Sequence, residues 1–342
     1  MTKNRKPPAK NTPTLNRWAR EWLATYIQPV AKPGGYESYH DALFKHILPA
    51  LGDYRLDKLT TPMVQRFFNE LSQHGNLRDG GALSPKSVKN IRVVLDTCCK
   101  RAVANGLMQE NPVLDTVIRR CATPHVDVMT ESDLTRFEEW LFRVRSSENT
   151  GIALALFTGM RLGEICALRW RHYDAGTGTL HVQDSMRRTS NYNDNAVYGE
   201  KTRVVIASAK TDASCRNLYL QDFLQVLLEN QYRSYTRQFG VPPRPEDFIL
   251  FNKAGNHLDP DNLSHYFVNS LKCLGLPHVK FHGLRHTFAT RAVERGIDVA
   301  TVSGILGHAD VTTTTHFYVH PREEAMRRAM TAMRPGMGHS TP

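Results

Sequence analysis

The run Phe281-His282-Gly283-Leu284-Arg285-His286-Thr287 sets an imidazole and a guanidinium three residues apart. On a helix they project to the same side. That couples a group able to move protons near neutral pH with a fixed cation. Metal binding competes as a reading, because His282 and His286 stand four apart. However, no glutamate occupies the place a hydrolytic zinc helix requires, and Arg285 on the same face would repel a metal cation. We therefore expect no metal and no cofactor.

Three further clusters carry chemistry. In Thr158-Gly159-Met160-Arg161-Leu162-Gly163-Glu164 an arginine follows Thr-Gly where a helix begins. A guanidinium there can fork onto a phosphate with two parallel hydrogen bonds. Glu164, three residues on, can hold it in one rotamer. Lys210, in Ser208-Ala209-Lys210-Thr211-Asp212, follows a strand-like run; a lysine is protonated at neutral pH and can serve as a general acid. Finally Leu306-Gly307-His308 puts a histidine just past a helix end, and Tyr318 stands ten residues beyond it. The threonines at 312–315 are poor helix material and predict a turn between the two. Each cluster alone has an ordinary explanation: a surface Arg–Glu pair, a solvated hairpin lysine, a core tyrosine packed beside Phe317.

The elements that must position these groups are legible in outline. Residues 1–13 are basic and proline-containing and predict a flexible tail. From 14 to 112 the pattern is helical, with Leu15, Trp18, Trp22, Leu23 and Tyr26 on one face. Met63, Val64, Phe67, Phe68 and Leu71 mark another. Ser84 and Pro85 start a third helix, Val88, Ile91, Leu95, Cys98 and Ala102 form its stripe, and Asn105-Gly106 ends it. Lys86, Lys89 and Arg92 on this helix are candidates to track phosphates; a solvated face is the alternative. Residues 113–128 read as a linker. Thr130-Glu131-Ser132-Asp133 opens the second domain, 129–334, with a helix carrying Leu134, Phe137 and Leu141. A helix over about 150–170 comes next, then strands at Thr179–Gln183, Arg203–Ser208 and Asn217–Leu220. Between the first two, the polar run Arg187–Asn195 reads as a loop. A helix with Phe223, Val226 and Leu227 succeeds them, and the rest is helical. Glu323–Met330 form an amphipathic tail helix that would dock on the same or a neighbouring subunit. The fold class expected is mainly α with a small β-sheet: an all-α first domain and an α+β second one.

Composition sets the partner. The 342 residues have a formal charge of +11, which favours a polyanion through release of condensed counterions. The six cysteines form no CxxC pair and read as buried thiols of a reducing compartment. No apolar run is long enough to span a membrane, and no apolar segment follows the basic start. A cytoplasmic, nucleoid-associated protein is expected.

Taken together, R-x-x-E after Thr-Gly, a lysine after a strand, H-x-L-R-H, L-G-H and a tyrosine ten residues on resemble the tyrosine recombinase (phage integrase) family. The helical first domain resembles that family's core-type DNA-binding domain. The resemblance implies a site-specific DNA recombinase with Arg161, Lys210, His282, Arg285 and His308 around the nucleophile Tyr318, and Glu164 supporting Arg161. It implies double-stranded DNA at specific sites as partner, a monomer in solution, a homo-tetramer on synapsed sites, and accessory DNA-bending factors. No metal or ATP is needed. In many relatives, including the Xer enzymes, the last interval is nine. The interval of ten, with His320-Pro321 after the tyrosine, resembles conjugative-transposon integrases and points to a mobile-element integrase. The tail of thirteen residues is too short for a folded arm-binding domain. The alternatives are Xer-type dimer resolution, type IB topoisomerase-like relaxation and a non-catalytic DNA-binding protein. A metal-dependent nuclease lacks a carboxylate cluster.

Overall fold

The computed structural model describes residues 12–119, 129–192, 202–208 and 215–307. The chain divides into two compact units, the first made of residues 1–124 with 189–196 and the second of residues 125–188 with 197–342, so the last two residues of the strand 184–190 count with the first.

In the first unit α1 (Leu15–Trp22) is capped by Thr14, whose hydroxyl accepts from the Arg17 amide. Leu15, Trp18, Ala19 and Trp22 recur at helical spacing and are all buried. The helical path continues through a wider π turn (Leu23–Ile27), α2 (Pro33–Asp41), a second π turn (Ala42–Ile47) and the short α3 (Leu48–Leu51). Next come α4 (Thr61–His74) and α5 (Pro85–Ala104). α5 begins as Ser84-Pro85 predict: the Ser84 hydroxyl accepts from the Ser87 amide at 3.1 Å. Proline costs nothing at that position, because its missing N–H would have no partner within the helix. The stripe Val88, Ile91, Leu95, Cys98 and Ala102 is buried throughout. Trp18 Nε1 donates to the Cys98 carbonyl at 3.2 Å, which ties α1 to α5 inside the core.

The stretch expected to open a linker at residue 113 is fastened to this unit. Val113 is fully buried and Ile118 packs on the same core. Arg92 Nε donates to Thr116 Oγ1 at 3.0 Å, and its Nη2 donates to the carbonyls of Val113 and Leu114 at 3.1 and 3.2 Å. Gln65 brackets Val117, accepting from its amide and donating to its carbonyl. A segment without helical period can still be fixed by side chains distant in sequence, and periodicity does not report that.

In the second unit α6 (Glu131–Arg143) is capped by Thr130. α7 (Ser147–Thr158) is buried nearly all round, as a helix without a polar face must be. It packs against α6, α8 (Leu162–Cys166), α9 (Asp222–Phe239), α10 (Pro260–Cys273) and α11 (His282–Glu294). The single helix expected over 150–170 is therefore broken. Gly159 turns left-handed at φ +67°, and Arg161 caps the start of α8. β1 (Tyr173–Asp174), β2 (Thr179–Val182) and β5 (Arg216–Tyr219) form an antiparallel sheet in the order β1-β2-β5. β3 (Asp184–Ser190) and β4 (Thr202–Ser208) form a two-stranded one. Residues 187–190, expected in a loop, thus belong to a strand: backbone pairing with β4 stabilises it, and polar side chains do not announce that. Residues 193–195 of that expected loop lie outside the described residues.

The helix carrying Phe223, Val226 and Leu227 is α9, and its buried face is a different one. Phe223 and Val226 are exposed, whereas Leu224, Leu228, Gln231 and Tyr235 are buried. α12 (Val299–Leu306) is capped by Asp298 and ends at Gly307, φ +65°, as Leu-Gly predicts. Cys98, Cys99 and Cys166 are buried; Cys215 and Cys273 are exposed, against expectation, and Cys121 is outside the described residues. All five described cysteines are free thiols. Burial pushes the thiols of Cys99 and Cys166 up to about 12. No helix among the described residues is long and apolar enough to cross a membrane. The basic tail as far as residue 11 and the tail helix at 323–330 lie outside the described residues.

Candidate active site

The last turn of α12 is where the site assembles. Carbonyls at a helix C-terminus have no partner within the helix and carry the negative end of its dipole. Here three consecutive ones receive three arginines from three different elements. Arg216 of β5 donates through Nε to the Ile305 carbonyl at 2.5 Å. Arg285 of α11 donates through Nη2 to the Leu306 carbonyl at 2.8 Å. Arg161, at the start of α8, donates through Nη2 to the Gly307 carbonyl at 3.1 Å. Arg285 Nη1 also donates to the Gly159 carbonyl at 2.8 Å, so this guanidinium joins the Thr-Gly turn to the end of α12.

Gly159 is what permits the approach. A Cβ on it would lie 2.6 Å from Leu306 Cδ2 and from Phe288 Cδ1, in addition to the left-handed backbone. Gly163 also admits a close approach. A Cβ there would strike the Met186 carbonyl and lie 2.7 Å from Ser185 Oγ, where β3 crosses the first turn of α8.

Glu164 holds two of the arginines. Its carboxylate accepts from Arg161 Nη1 at 2.7 Å and from the Arg161 amide at 2.9 Å. It accepts from Arg216 Nη2 at 2.9 Å and Nη1 at 3.3 Å. The side chains of Glu164 and Arg216 are both buried; Arg161 keeps a partly exposed one. Burial by itself would raise the Glu164 carboxyl. The bond and charge of Arg216, with the bonds from Arg161, outweigh it and hold the pKa below its ordinary value. Three guanidiniums against one carboxylate leave the site positive.

His282 opens α11 and Arg285 stands one turn on, while the ring of His286 meets that of His282 edge-on at 4.9 Å. His282 is exposed as a residue. Even so, loss of solvation around its ring lowers its pKa to about 4, and the charges of His286, Arg285 and Arg161 act in the same direction. At neutral pH the imidazole is therefore uncharged and keeps a nitrogen lone pair to accept a proton, although the neighbouring cations oppose the imidazolium. Among the described residues no cluster of three metal-ligating side chains is present.

Of the residues singled out in the sequence, Arg161, Glu164, His282 and Arg285 come together in the second unit. β4 ends two residues before Lys210; Lys210, His308 and Tyr318 lie outside the described residues. In the first unit Lys86 and Lys89 are exposed on α5, whereas Arg92 is committed to Val113, Leu114 and Thr116. Arg216 stands six residues after Lys210, in the same cluster, but the sequence alone assigns it no role. A signal existed: it shares a strand face with Leu218, which is buried, and a cation on a buried face needs an internal partner.

A helical unit and an α+β unit carrying converging arginines define the class, and comparison with known proteins agrees. The model of the phage integrase family matches residues 142–325, and that of the phage integrase N-terminal SAM-like domain matches residues 14–72. The chain belongs to the phage integrase family and is a site-specific tyrosine recombinase. A tyrosine recombinase XerC-like protein of Caldanaerobacter subterraneus subsp. tengcongensis is 26% identical over 319 residues, covering 90% of this chain and 79% of that protein. The solved structure of the Tn1549 transposon integrase with transposon right end DNA is similar in fold, with a TM-score of 0.76 at 18% identity; 94% of this chain and 99% of that one are covered. A lambda integrase tetramer bound to a Holliday junction gives a TM-score of 0.64 at 19% identity, over 91% and 79%.

Proposed function

We propose that this recombinase is the integrase of a mobile element or prophage, which cuts and rejoins DNA through a 3′-phosphotyrosyl link at Tyr318. The observation that carries the chemistry is the convergence of Arg161 and Arg285 on the carbonyls of Gly307 and Leu306, immediately before His308. A phosphodiester repels nucleophiles, and attack builds charge on its non-bridging oxygens. The two arginines hold those oxygens, and His308 donates a further bond. Removing one such fixed donor typically costs about 10²–10³ in rate. The Tyr318 oxygen bonds to phosphorus as the bond to the 5′ oxygen breaks. His282 takes the phenol proton, and Lys210 protonates the leaving oxygen. The phosphotyrosyl bond is then attacked by the 5′ hydroxyl of a second duplex, so neither ATP nor a metal enters.

The partner is double-stranded DNA at specific sites, bound by a monomer that assembles into a homo-tetramer on two synapsed sites in the cytoplasm; accessory bending factors complete the assembly. Lys86 and Lys89 supply phosphate contacts. The ten-residue interval from His308 to Tyr318 and the His320-Pro321 that follows favour an element integrase. The XerC-like relative favours a second reading, resolution of replicon dimers.

The test is a nicked duplex spanning the joined ends of the element that carries the gene. Wild-type protein should form an adduct that survives denaturation in the presence of EDTA, and Tyr318→Phe should not. A normal adduct yield in Tyr318→Phe overturns the assignment. Efficient recombination at a chromosomal dimer-resolution site, with none at the joined ends, supports the second reading.

A further inference from the structure

Arg216 connects two parts of the site that lie 52 and 89 residues from it in sequence. Its Nη1 and Nη2 grip the Glu164 carboxylate from one side, and its Nε holds the Ile305 carbonyl on the other. Only a planar guanidinium can fork onto a carboxylate while a third N–H reaches a separate acceptor; a lysine is a point charge. Glu164 in turn fixes both the amide and the guanidinium of Arg161. Ile305 lies in the last turn of α12, three residues before His308.

We infer that Arg216 is a positioning residue for strand cleavage: it clamps Glu164 to the end of α12, and so fixes Arg161 relative to the chain that enters His308. The inference rests on the roles given above to Arg161 and His308. With those N–H groups committed to Glu164 and Ile305, Arg216 acts through these partners.

The loss of Arg216 should misplace the phosphate-holding group while leaving the DNA-contacting surface of the first unit intact. A displacement on the order of 1 Å can cost about 10²-fold in rate. A second consequence separates positioning from mere stability. Glu164 is faced by Arg161 from its own helix and by Arg216 from β5. Without Arg216 its carboxyl titrates at higher pH, and each protonation event releases Arg161. The cleavage rate should then gain a limb that falls on the acid side.

The experiment uses the full chain and the nicked joined-ends duplex. Folding is checked by thermal unfolding, and affinity is measured separately in the Tyr318→Phe background. Arg216→Met should lower single-turnover adduct formation by about 10²-fold at saturating DNA, with affinity little changed and with the new acid limb. Arg216→Lys should recover part of the rate. Adding Glu164→Gln to Arg216→Met should abolish the limb. If Arg216→Met keeps the wild-type rate and pH profile, or loses affinity in proportion to rate, the inference is wrong. Should Arg216→Met not fold, Arg216→Lys carries the test on the same two readouts: a slower rate with an acid limb supports the inference, and wild-type behaviour overturns it. An adduct in Tyr318→Phe would instead overturn the assignment of the nucleophile, which is a distinguishable result.

Discussion

Gly159 turns the chain at φ +67° and also lets Leu306 and Phe288 close over it. Gly240, at the end of α9, has the same handedness at φ +74°, but nothing lies within 4 Å of a Cβ there. The two glycines therefore separate backbone strain from steric demand. The left-handed conformation costs a non-glycine residue about 1–2 kcal/mol. Gly240→Ala should lose about that much in urea denaturation and keep full adduct formation. Gly159→Ala should lose distinctly more, and cleavage should slow as well, because the added methyl pushes α11 and the end of α12 away from the turn that carries Arg161. Equal losses in the two variants would mean that the contact with Leu306 and Phe288 relaxes freely.

Helix α5 shows how one element can carry charges of unlike purpose. Lys86 and Lys89 are exposed, while Arg92 is held by two carbonyls and a hydroxyl from the segment after the helix. The lysines are proposed to meet phosphates, and the arginine fastens residues 113–116. Affinity for DNA falls with salt in proportion to the phosphates neutralised, by about one unit of log–log slope per contact. The double variant Lys86→Ala/Lys89→Ala should flatten that slope by about two units without changing the unfolding midpoint. Arg92→Ala should do the reverse, leaving the slope alone and lowering stability. A salt slope unchanged in the lysine variant would remove α5 from the DNA contact surface.

Over the whole molecule, desolvated histidines among the described residues should decide where the fold first answers acid. His46, His172, His282 and His286 all have lowered pKa values, with loss of solvation as the leading cause. His172 is the most enclosed of them, and its Nδ1 accepts from the Arg169 amide at 3.1 Å. A group whose folded pKa lies below its unfolded value binds more protons when unfolded. Its contribution is complete above about pH 6.5 and is lost as pH falls toward the folded value. Glu164 and the other depressed carboxylates add their loss only at lower pH, through the carboxylate range. Urea midpoints should therefore begin to fall below about pH 6.5, ahead of carboxylate titration. His172→Gln should reduce the first part of that decline. If the decline begins only below about pH 4.5 in the wild type, the histidines are not its cause.

What the sequence by itself determined is what acts over one or two turns. Ser84 and Thr130 announce their helices because a cap reaches only two or three residues. Arg161 with Glu164, and His282 with Arg285, could be placed together because i and i+3 share a helix face. Leu306-Gly307 marks a helix end because glycine alone enters the left-handed region without cost. The tertiary structure decided everything that joins distant segments. Arg285 to Gly159 spans 126 residues and Arg161 to Gly307 spans 146. The strand at 187–190, the fastening of residues 113–118 and the internal use of Arg92 depend on partners that no local period encodes. Arg216 is the plainest case. Its sequence neighbours give it a strand and a buried face, but only packing of β5 against α8 and α12 brings a carboxylate and a helix end within reach of one guanidinium.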